Sequence, residues 1–496
     1  MNGLFKRVGA VSPGRSVFDL SYEKKFTADM GYLYPIMCDE VVPGDLFEIG
    51  NEVVIRFQPL VSPMMHEVNC YVHYFFVPYR LLDDTWEDFI TGGVDGDDVT
   101  ALARWEPVST AVGSLWDYFG FPTGVNPVGA LPLAFPLKAY NLVYNEYYRD
   151  ETLIDEIALT SEVIKKRAWE KDYFTSALPW QQRGTAPSLP LSGTGSAVWN
   201  AANVIVGAGS DALTVSGAGG ENKLRVPAAN AKSNILGFLN SNTFDFADAT
   251  TFDVAELRLA FQIQKWMERN ARAGVRYTEF LGAHFGVKPR DDRLQRPEYL
   301  GGSKNPVIIS EVLQTSSTDA TSAQGNLAGH GITVGKTYCA KYRAEEFGCI
   351  IGIMSVMPKP AYMQGIDRQW LRRTKYDFYF PEFANLSEQA IEMAEIYAQG
   401  TEALNRKTFG YQGRYDEMRL KRNMVCGLMR TDFNYWHMAR IFASEPALNQ
   451  SFIDCDATKR IFAVPSEPGL VVSFGNRIRA VRPLPIMSEP GLIDHN

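Results

Sequence analysis

The chain has 496 residues, of which 46% are hydrophobic and 21% are charged, and its formal net charge is −8. This composition provides a large core, as in ordinary globular proteins. The negative charge excludes a protein that binds a polyanion with its whole surface, so any contact with nucleic acid must come from a local basic patch.

The N-terminal segment, residues 1–25, is basic in an otherwise acidic chain. It lacks the apolar stretch of a secretory signal. We interpret it as a flexible basic arm, and a plain solvated terminus explains it equally well. Its charged residues are Lys6, Arg7, Arg15, Lys24 and Lys25 on the basic side, and Asp19 and Glu23 on the acidic side.

Strand patterns follow the arm. Residues 42–45 (VPGD) predict a turn, because Pro fixes φ at the first central position and Gly accepts a positive φ at the second. Apolar residues alternate in 53–57. In 68–77 both alternating faces are apolar, which predicts a strand covered on both sides, as in a layered β-sandwich.

Three segments predict helices. In 137–150 four tyrosines recur at helical spacing and indicate a packing stripe. A long helix is predicted to start near Asp253 and to end before Gly274, because its first turn has capping-box spacing and apolar residues follow at helical steps. A third is predicted from Ser387 to Gly400.

Residues 190–250 differ in composition from the rest of the chain. They contain eight glycines and only seven charged residues. Insertions of this size in a compact domain are functional or disordered. We interpret the segment as a long surface insertion on the exterior of the protein, with Asp211, Glu221, Lys223 and Arg225 among its exposed residues.

Strand patterns dominate again after residue 304. Long connections separate them, and no β-α-β rhythm is present, which favours a sandwich or jelly roll over an α/β fold. The predicted fold class is therefore mainly β, an eight-stranded jelly-roll β-sandwich with long loop insertions and a few helices. The predicted strands lie in 305–316, 348–358, 436–442, 459–465 and 476–483.

Motifs of common enzymes are absent or incomplete. In 329–337 (GHGITVGKT) the glycine before Lys336 follows the two earlier glycines after three and five residues, whereas a phosphate loop needs four. The acids Asp95, Asp97 and Asp98 imitate a calcium loop that lacks its glycine. The six cysteines have no metal-binding spacing and are expected to be reduced thiols. We therefore expect no enzyme, metal or cofactor.

The longest apolar run, residues 348–357, is about half the length that a membrane span needs. The sequence therefore predicts no membrane span and a soluble protein, or a component of a soluble assembly.

The tract 285–302 (FGVKPRDDRLQRPEYLGG) combines prolines, arginines and acidic residues in a pattern too specific for a generic loop. Its two prolines exclude a continuous helix. We predict a connector fixed by bidentate arginine–carboxylate pairs, within one subunit or at a seam between subunits. The residues proposed to fix it are Arg290, Asp291, Asp292, Arg293 and Arg296.

A second basic segment, 404–423, mixes cations with aromatic residues. This is the composition of a surface that binds single-stranded nucleic acid. Arginine and tyrosine are also favoured at protein interfaces, so an arginine-rich seam between subunits is the alternative. Its cations are Arg406, Lys407, Arg414, Arg419, Lys421 and Arg422, with Phe409, Tyr411 and Tyr415 between them.

Many short sequence segments along the chain match those of one protein family and occur in the same order as in that family. The chain closely resembles the major capsid proteins of the Microviridae, small icosahedral single-stranded DNA bacteriophages, and most of all their gokushovirus-like branch. Residues 190–250 fall outside the resemblance. The matching words are EVVPGDLFEI (40–49), YFFVPYRLLDDTWEDFITGG (74–93), RYTEFLGAHFGVKPRDDRLQRPEYLGG (276–302), EVLQTSST (311–318), GNLAGHG (325–331), IIGIMSVMP (350–358), YFPEFANLSEQAI (379–391), FGYQGRYDEMR (409–419) and PGLIDH (490–495).

The resemblance implies a jelly-roll domain over 26–496 that assembles into a T=1 shell around circular single-stranded DNA in the bacterial cytoplasm. Implied partners are further copies of the chain, a small basic DNA-packaging protein, a vertex pilot protein and a host surface receptor met by the insertion. Within that shell, the basic arm and some cations of 404–423 are predicted to face DNA. A carbohydrate-binding or carbohydrate-active β-sandwich protein is the alternative.

Overall fold

A computed structural model of the chain describes residues 14–94, 96, 100–187, 204–207, 214–216, 223–227, 254–313 and 327–487. The chain divides into two compact units. Met1–Gln181 together with Ala273–Asn496 form the first unit, and Gln182–Arg272 form the second. The predicted insertion lies within the second unit, which also contains most of the long helix that follows it.

The strands of the described residues are β1 (Ser16–Asp19), β2 (Tyr22–Ala28), β3 (Tyr34–Val41), β4 (Leu46–Phe57), β5 (Val68–Pro78), β6 (Val204–Gly207), β7 (Thr214–Ser216), β8 (Lys223–Pro227), β9 (Glu298–Pro306), β10 (Ile308–Leu313), β11 (Leu327–Arg343), β12 (Gly348–Pro358), β13 (Glu388–Glu392), β14 (Thr408–Gly413) and β15 (Leu470–Arg482). The α-helices are α1 (Trp86–Thr91), α2 (Leu115–Tyr118), α3 (Phe135–Val143), α4 (Val254–Ala273), α5 (Tyr277–Phe285), α6 (Met393–Ile396), α7 (Glu402–Asn405), α8 (Asp416–Arg419) and α9 (Gln450–Ile453).

Two antiparallel sheets organise the first unit. The six-stranded sheet has the order β1–β15–β4–β11–β10, and β2 also pairs with β15. The four-stranded sheet has the order β3–β12–β5–β9. Strands β2 to β5 alternate between the two sheets, whereas β5 and β9 share the four-stranded sheet and β10 and β11 share the six-stranded sheet. The prediction of a mainly β protein with antiparallel sheets is confirmed.

The main core lies between these two sheets. Alternate residues of β4, such as Phe47, Ile49 and Val53, are fully buried there because side chains of a strand point to opposite faces. They pack with inward residues of the opposite sheet, such as Tyr74 and Ile350. The alternation that the sequence shows in 53–57 is therefore the alternation of core and outer face.

The four-stranded sheet is covered on its second face as well. Phe75 of β5 and Ile351 of β12 point away from the main core and pack with α3, whose Tyr140 is fully buried. Trp105 and Trp116 close this second core in an edge-to-face contact at 5.2 Å. The prediction that the strand over 68–77 is covered on both sides is confirmed. The tyrosine packing stripe of 137–150 is also confirmed, with Tyr140 in α3 and Tyr144, Tyr147 and Tyr148 in the π-helical turn that follows it, all packed in this core.

The turn predicted at 42–45 is also confirmed. Gly44 has φ +93°, and the Asp45 amide donates a hydrogen bond of 3.1 Å to the Val42 carbonyl.

The long helix α4 starts next to the predicted Asp253 and ends before Gly274, whose φ of +102° is the left-handed conformation that ends helices.

The helix predicted over 387–400 is wrong. Strand β13 occupies its first half and pairs with β14, and only the short α6 follows. Ser387 and Glu388 have the residue types of a helix start, but pairing with a distant strand buries Ile391 fully and overrides that local signal.

The strands predicted over 436–442 and 459–465 are also wrong. Met438, Ala439, Ile461 and Phe462 are buried, which explains their apolar pattern. Their backbone lies in loops and turns; Phe462, for example, donates its amide to Lys459 three residues earlier. An apolar run can fill a core without joining a sheet, and periodicity alone does not separate the two cases.

Several histidines have structural roles in the fold. A ring nitrogen of His66 lies 2.7 Å from the Lys359 carbonyl, and one of His437 lies 2.7 Å from the Met429 carbonyl. In β5 the Nδ1 atom of His73 lies 2.8 Å from the Tyr148 hydroxyl. Burial, and then the nearby Arg167 guanidinium, lower the pKa of His73 to about 4.

We predict that His73 makes the fold acid-sensitive. Below about pH 6.5 the unfolded chain binds a proton at this ring, whereas the folded chain excludes it until about pH 4, so stability falls as pH decreases through that window. The loss is about 3 kcal/mol. The His73→Gln variant lacks it, so its free energy of unfolding in urea approaches or exceeds that of the wild type at pH 4. Parallel pH dependence of the two proteins would contradict this account.

Candidate subunit and nucleic-acid interfaces

The long connection between β12 and β15, residues 359–469, exposes a group of aromatic side chains. We call them the exposed aromatic cluster, and Trp370, with 75% of its surface exposed, is its most prominent member. Monomeric soluble proteins rarely expose large apolar patches, so this many exposed rings within residues 370–380 indicates a surface that meets a partner. The cluster consists of Trp370, Tyr376, Phe378, Tyr379 and Phe380.

Polar contacts of the backbone hold this cluster in place. The Tyr415 hydroxyl donates a hydrogen bond of 2.9 Å to the Phe378 carbonyl, and the Tyr415 ring meets the Tyr379 ring edge-to-face at 5.1 Å. The Arg372 guanidinium lies 5.1 Å from the centre of the Phe378 ring. The aromatic side chains are therefore presented to solvent by a defined backbone.

A buried ion pair anchors the start of the same segment. Glu395 is 1% exposed, accepts a hydrogen bond of 2.8 Å from the Arg368 guanidinium, and accepts another of 3.0 Å from the Tyr173 hydroxyl. Burial raises the pKa of Glu395. Arg373 adds a two-pronged pair with Glu392, with both N–O distances at 2.7 Å. These contacts fix Arg368 and Arg373, which flank Trp370.

The basic segment 404–423 lies beside this cluster, and its cations have partners within the chain. Arg406 pairs with Glu402, Lys407 with Glu445, Arg419 with Asp416 and Lys421 with Asp367, at distances of up to 3.6 Å. Arg414 donates to the Tyr376 carbonyl of the aromatic cluster at 2.9 Å, and Arg422 donates to the Gly365 and Glu395 carbonyls.

The rings of that segment do not form a stacking surface. Phe409 and Tyr415 are buried, and Tyr411 is half-buried. Rings interleaved with cations in sequence therefore point inward while the cations remain near the surface. That the cations face DNA stays a prediction, and their position beside exposed aromatic residues supports the alternative of a subunit seam.

The tract 285–302 is fixed mainly by contacts within its own chain. The Arg296 guanidinium lies 2.9 Å from an Asp291 carboxylate oxygen and 4.7 Å from the centre of the Tyr147 ring. Arg290 pairs with Asp292 at 3.2 Å, on the surface. The Arg293 amide donates a hydrogen bond of 2.8 Å to an Asp292 carboxylate oxygen, whereas its exposed guanidinium has no ion pair with a carboxylate among the described residues. Bidentate pairs with carboxylates of a neighbouring subunit stay a prediction.

Some predicted residues lie outside the described part of the chain. These are Lys6 and Arg7 of the arm, Asp211 and Glu221 of the insertion, and Asp95, Asp97 and Asp98 of the calcium-like segment. Arg15 is described and exposed, and Lys223 and Arg225 lie in β8. Among the side chains that the structure describes, no group of three or more His, Cys, Asp or Glu residues could hold a metal ion.

The sequence analysis missed a charged surface on the six-stranded sheet. Glu52 of the central strand β4 pairs with Lys336 of β11 at 2.7 Å and with Arg477 of β15 at 2.6 Å. Glu48, four residues earlier, pairs in the same way with Lys341 at 2.9 Å and Arg479 at 3.2 Å. The alternating pattern of residues 476–483 places Arg477 and Arg479 on one face of a strand. Their partners, however, become visible only in the pairing of the strands.

Comparison with known proteins identifies the family. A family model described as capsid protein (F protein) matches residues 7–492. The chain belongs to this capsid protein family. It is 33% identical to the capsid protein VP1 of Chlamydia phage 1, over 99% of this chain and 98% of the relative. It is 34% identical to the VP1 of Bdellovibrio phage phiMH2K and 30% identical to that of Spiroplasma virus 4, each over at least 95% of both chains.

The protein is therefore a structural component of a phage capsid, and the resemblance that the sequence words carry is confirmed. None of the helices in the described residues has the length and apolar composition of a membrane-spanning helix. For a capsid component, the relevant sites are surfaces that meet other macromolecules.

We predict that the ion pair beneath the aromatic cluster is essential for stability. Replacing Arg368→Met leaves the Glu395 carboxylate buried without its cation and lowers the free energy of unfolding by about 3 kcal/mol. The measurement is urea unfolding followed by tryptophan fluorescence. A matched Arg406→Met variant loses only the exposed pair with Glu402 and changes stability by less than about 0.5 kcal/mol. Equal effects of the two variants would contradict the prediction.

Proposed function

We propose that this capsid protein assembles with copies of itself into a T=1 icosahedral shell that encloses circular single-stranded DNA. The exposed aromatic cluster is the observation that carries the proposal, because its apolar surface requires a partner to cover it. The match to VP1 capsid proteins over nearly the whole length of each chain also supports it.

Copies of one chain supply the partner most simply. Closed shells use head-to-tail contacts in which different surfaces of neighbouring copies meet. The aromatic cluster and the adjacent cations of 404–423 have the tyrosine, tryptophan and arginine content favoured in protein interfaces. We propose that they form one side of a contact between subunits. We propose that the tract 285–302, in which Arg293 is exposed, fixes the geometry of a loop at a second contact between subunits.

The negative charge of the chain indicates that another component neutralises the charge of the genome. At a net charge of −8 it needs help to neutralise a genome, and a small basic DNA-packaging protein would supply that charge. We propose that Lys6, Arg7 and Arg15 of the arm face the DNA. We further propose assembly in the bacterial cytoplasm, an exterior insertion over 190–250 that meets a host receptor, and a pilot protein at the vertices.

The carbohydrate-active alternative needs a row of exposed tryptophans. Trp105, Trp116 and Trp169 are buried in apolar clusters. The exposed Trp370 belongs to the aromatic cluster that we assign to a contact between copies, so we do not favour this alternative.

We predict that the aromatic cluster is needed for assembly and not for folding. A double variant, Trp370→Ser with Phe378→Ser, keeps the circular dichroism spectrum and melting temperature of the unassembled chain, because both side chains are exposed. It forms no closed particles in electron micrographs when produced with its phage partners. The control is Val108→Ser with Val128→Ser, which removes two highly exposed apolar side chains elsewhere. Normal particles from the cluster variant would contradict the interface.

We predict that the insertion is exterior. Trypsin added to intact particles is expected to cut first after Lys223 or Arg225, in a segment that extends outward. Mass spectrometry of the fragments identifies the cut sites. Complete protection of residues 190–250 in particles whose other surface loops are cut would contradict an exterior position.

A further inference from the structure

The outer face of the six-stranded sheet has a positive charge of its own. We call it the basic sheet face. Strand register places seven basic and four acidic side chains on it, an excess of three positive charges in a chain of net charge −8. The basic residues are Lys25, Arg56, Lys336, Lys341, Arg343, Arg477 and Arg479, and the acidic ones are Asp19, Glu23, Glu48 and Glu52.

Two glycines lie among these charges. Gly50 of β4 lies between Tyr338 and Arg477 in the strand register, and Gly475 lies opposite Glu52. Neither glycine contributes a side chain that could cover the neighbouring ion-paired groups. These groups are Lys336, Glu52 and Arg477, and Lys341, Glu48 and Arg479.

One aromatic ring stands among these cations. Tyr338 has 64% of its surface exposed and lies on β11 between Lys336 and Lys341. The register of β11 against β4 shifts between Tyr338 and Ala340. This bulge adds a residue, so that Lys341, three positions after Tyr338, points to the same face.

The paired carboxylates leave most of the cations' hydrogen-bonding capacity free. A lysine has three donors and an arginine five, and each contact with Glu48 or Glu52 uses one of them. Hydrogen bonds from Lys341 and Arg479 lower the pKa of Glu48, and those from Lys336 and Arg477 lower the pKa of Glu52. The carboxylates therefore stay ionised and position the cations, whose other donors face solvent.

We propose that the basic sheet face binds single-stranded nucleic acid, with its cations on successive phosphates and Tyr338 stacked on a base. The inference rests on the proposed function, in that a shell encloses the nucleic acid, and it names the surface that receives it. Arg477 and Arg479 are two residues apart on one strand, which spaces them about 6.8 Å apart along the chain. Cations that track phosphates beside a ring that stacks on bases are the components of a sequence-independent single-strand site.

A second copy of the chain is the competing occupant. The cores of protein interfaces are depleted in charged residues, whereas the centre of this face has two rows of ions. Exposed ion pairs contribute little to stability, so the rows are not explained by the fold itself. The charge of the face favours a polyanion.

The test uses the full chain, unassembled, and a fluorescent 20-nucleotide single-stranded DNA in anisotropy titrations at several salt concentrations. A triple variant, Lys336→Gln with Arg477→Gln and Arg479→Gln, is expected to reduce the slope of log K against log salt by about 2, since each phosphate contact contributes about 0.7. Changing the two arginines to lysine keeps the slope. The control triple, Lys171→Gln, Lys304→Gln and Lys359→Gln, removes exposed paired lysines outside this face and leaves the slope unchanged.

The ring is tested separately. Tyr338→Ala is expected to weaken binding about tenfold or more at every salt concentration without changing the slope, and Tyr338→Phe to bind like the wild type, because stacking needs the ring and not the hydroxyl.

Three results would overturn the proposal. They are a wild-type chain that does not bind the oligonucleotide, an unchanged slope in the triple variant, and an equal loss in the control triple. If the triple variant instead binds DNA normally but forms no particles, the face is a contact between copies. These results are distinct from failure of the proposed function, in which the wild type itself forms no closed shell in micrographs.

Discussion

The central strands of the four-stranded sheet, β5 and β12, are buried on both faces, and the rest of the first unit depends on that constraint. Phe76 and Ile350 face the other sheet, whereas Phe75 and Ile351 face the cluster around α3. Such a sheet excludes water only if chain segments are available to cover its second face. The connection between β5 and β9 supplies that cover, with Tyr140 fully buried against the strands.

The two sheets therefore differ in what they offer to other molecules. The centre of the four-stranded sheet is covered on both faces, but the six-stranded sheet has a face of exposed charged side chains, including Lys336 and Arg477. The long connection from β12 to β15 adds an apolar surface around Trp370, held by the buried pair of Glu395 with Arg368. Apolar contacts between copies and ionic contacts with nucleic acid are thus assigned to separate surfaces, so substitutions can affect them independently.

Much of the fold could be predicted from local patterns. Two-faced apolar alternation identified β5, and cap residues located both ends of α4. The errors came where distant contacts decide, as in β13, where pairing with β14 overrides a helix start at Ser387. The candidate surfaces were harder. Lys336, Glu52 and Arg477 are far apart in sequence and meet only through strand register, whereas the cations of 404–423, adjacent in sequence, are paired with nearby acids.

Cryo-electron microscopy of particles purified from infected or co-expressing cells tests the central claim most directly. The account predicts a closed icosahedral shell in which Trp370 and its aromatic neighbours are buried between copies. It also predicts that the outer face of the six-stranded sheet, with Tyr338 and Arg477, is turned to the interior against nucleic-acid density. A reconstruction in which the aromatic cluster is exposed to solvent, or in which that sheet face is turned outward, would contradict it.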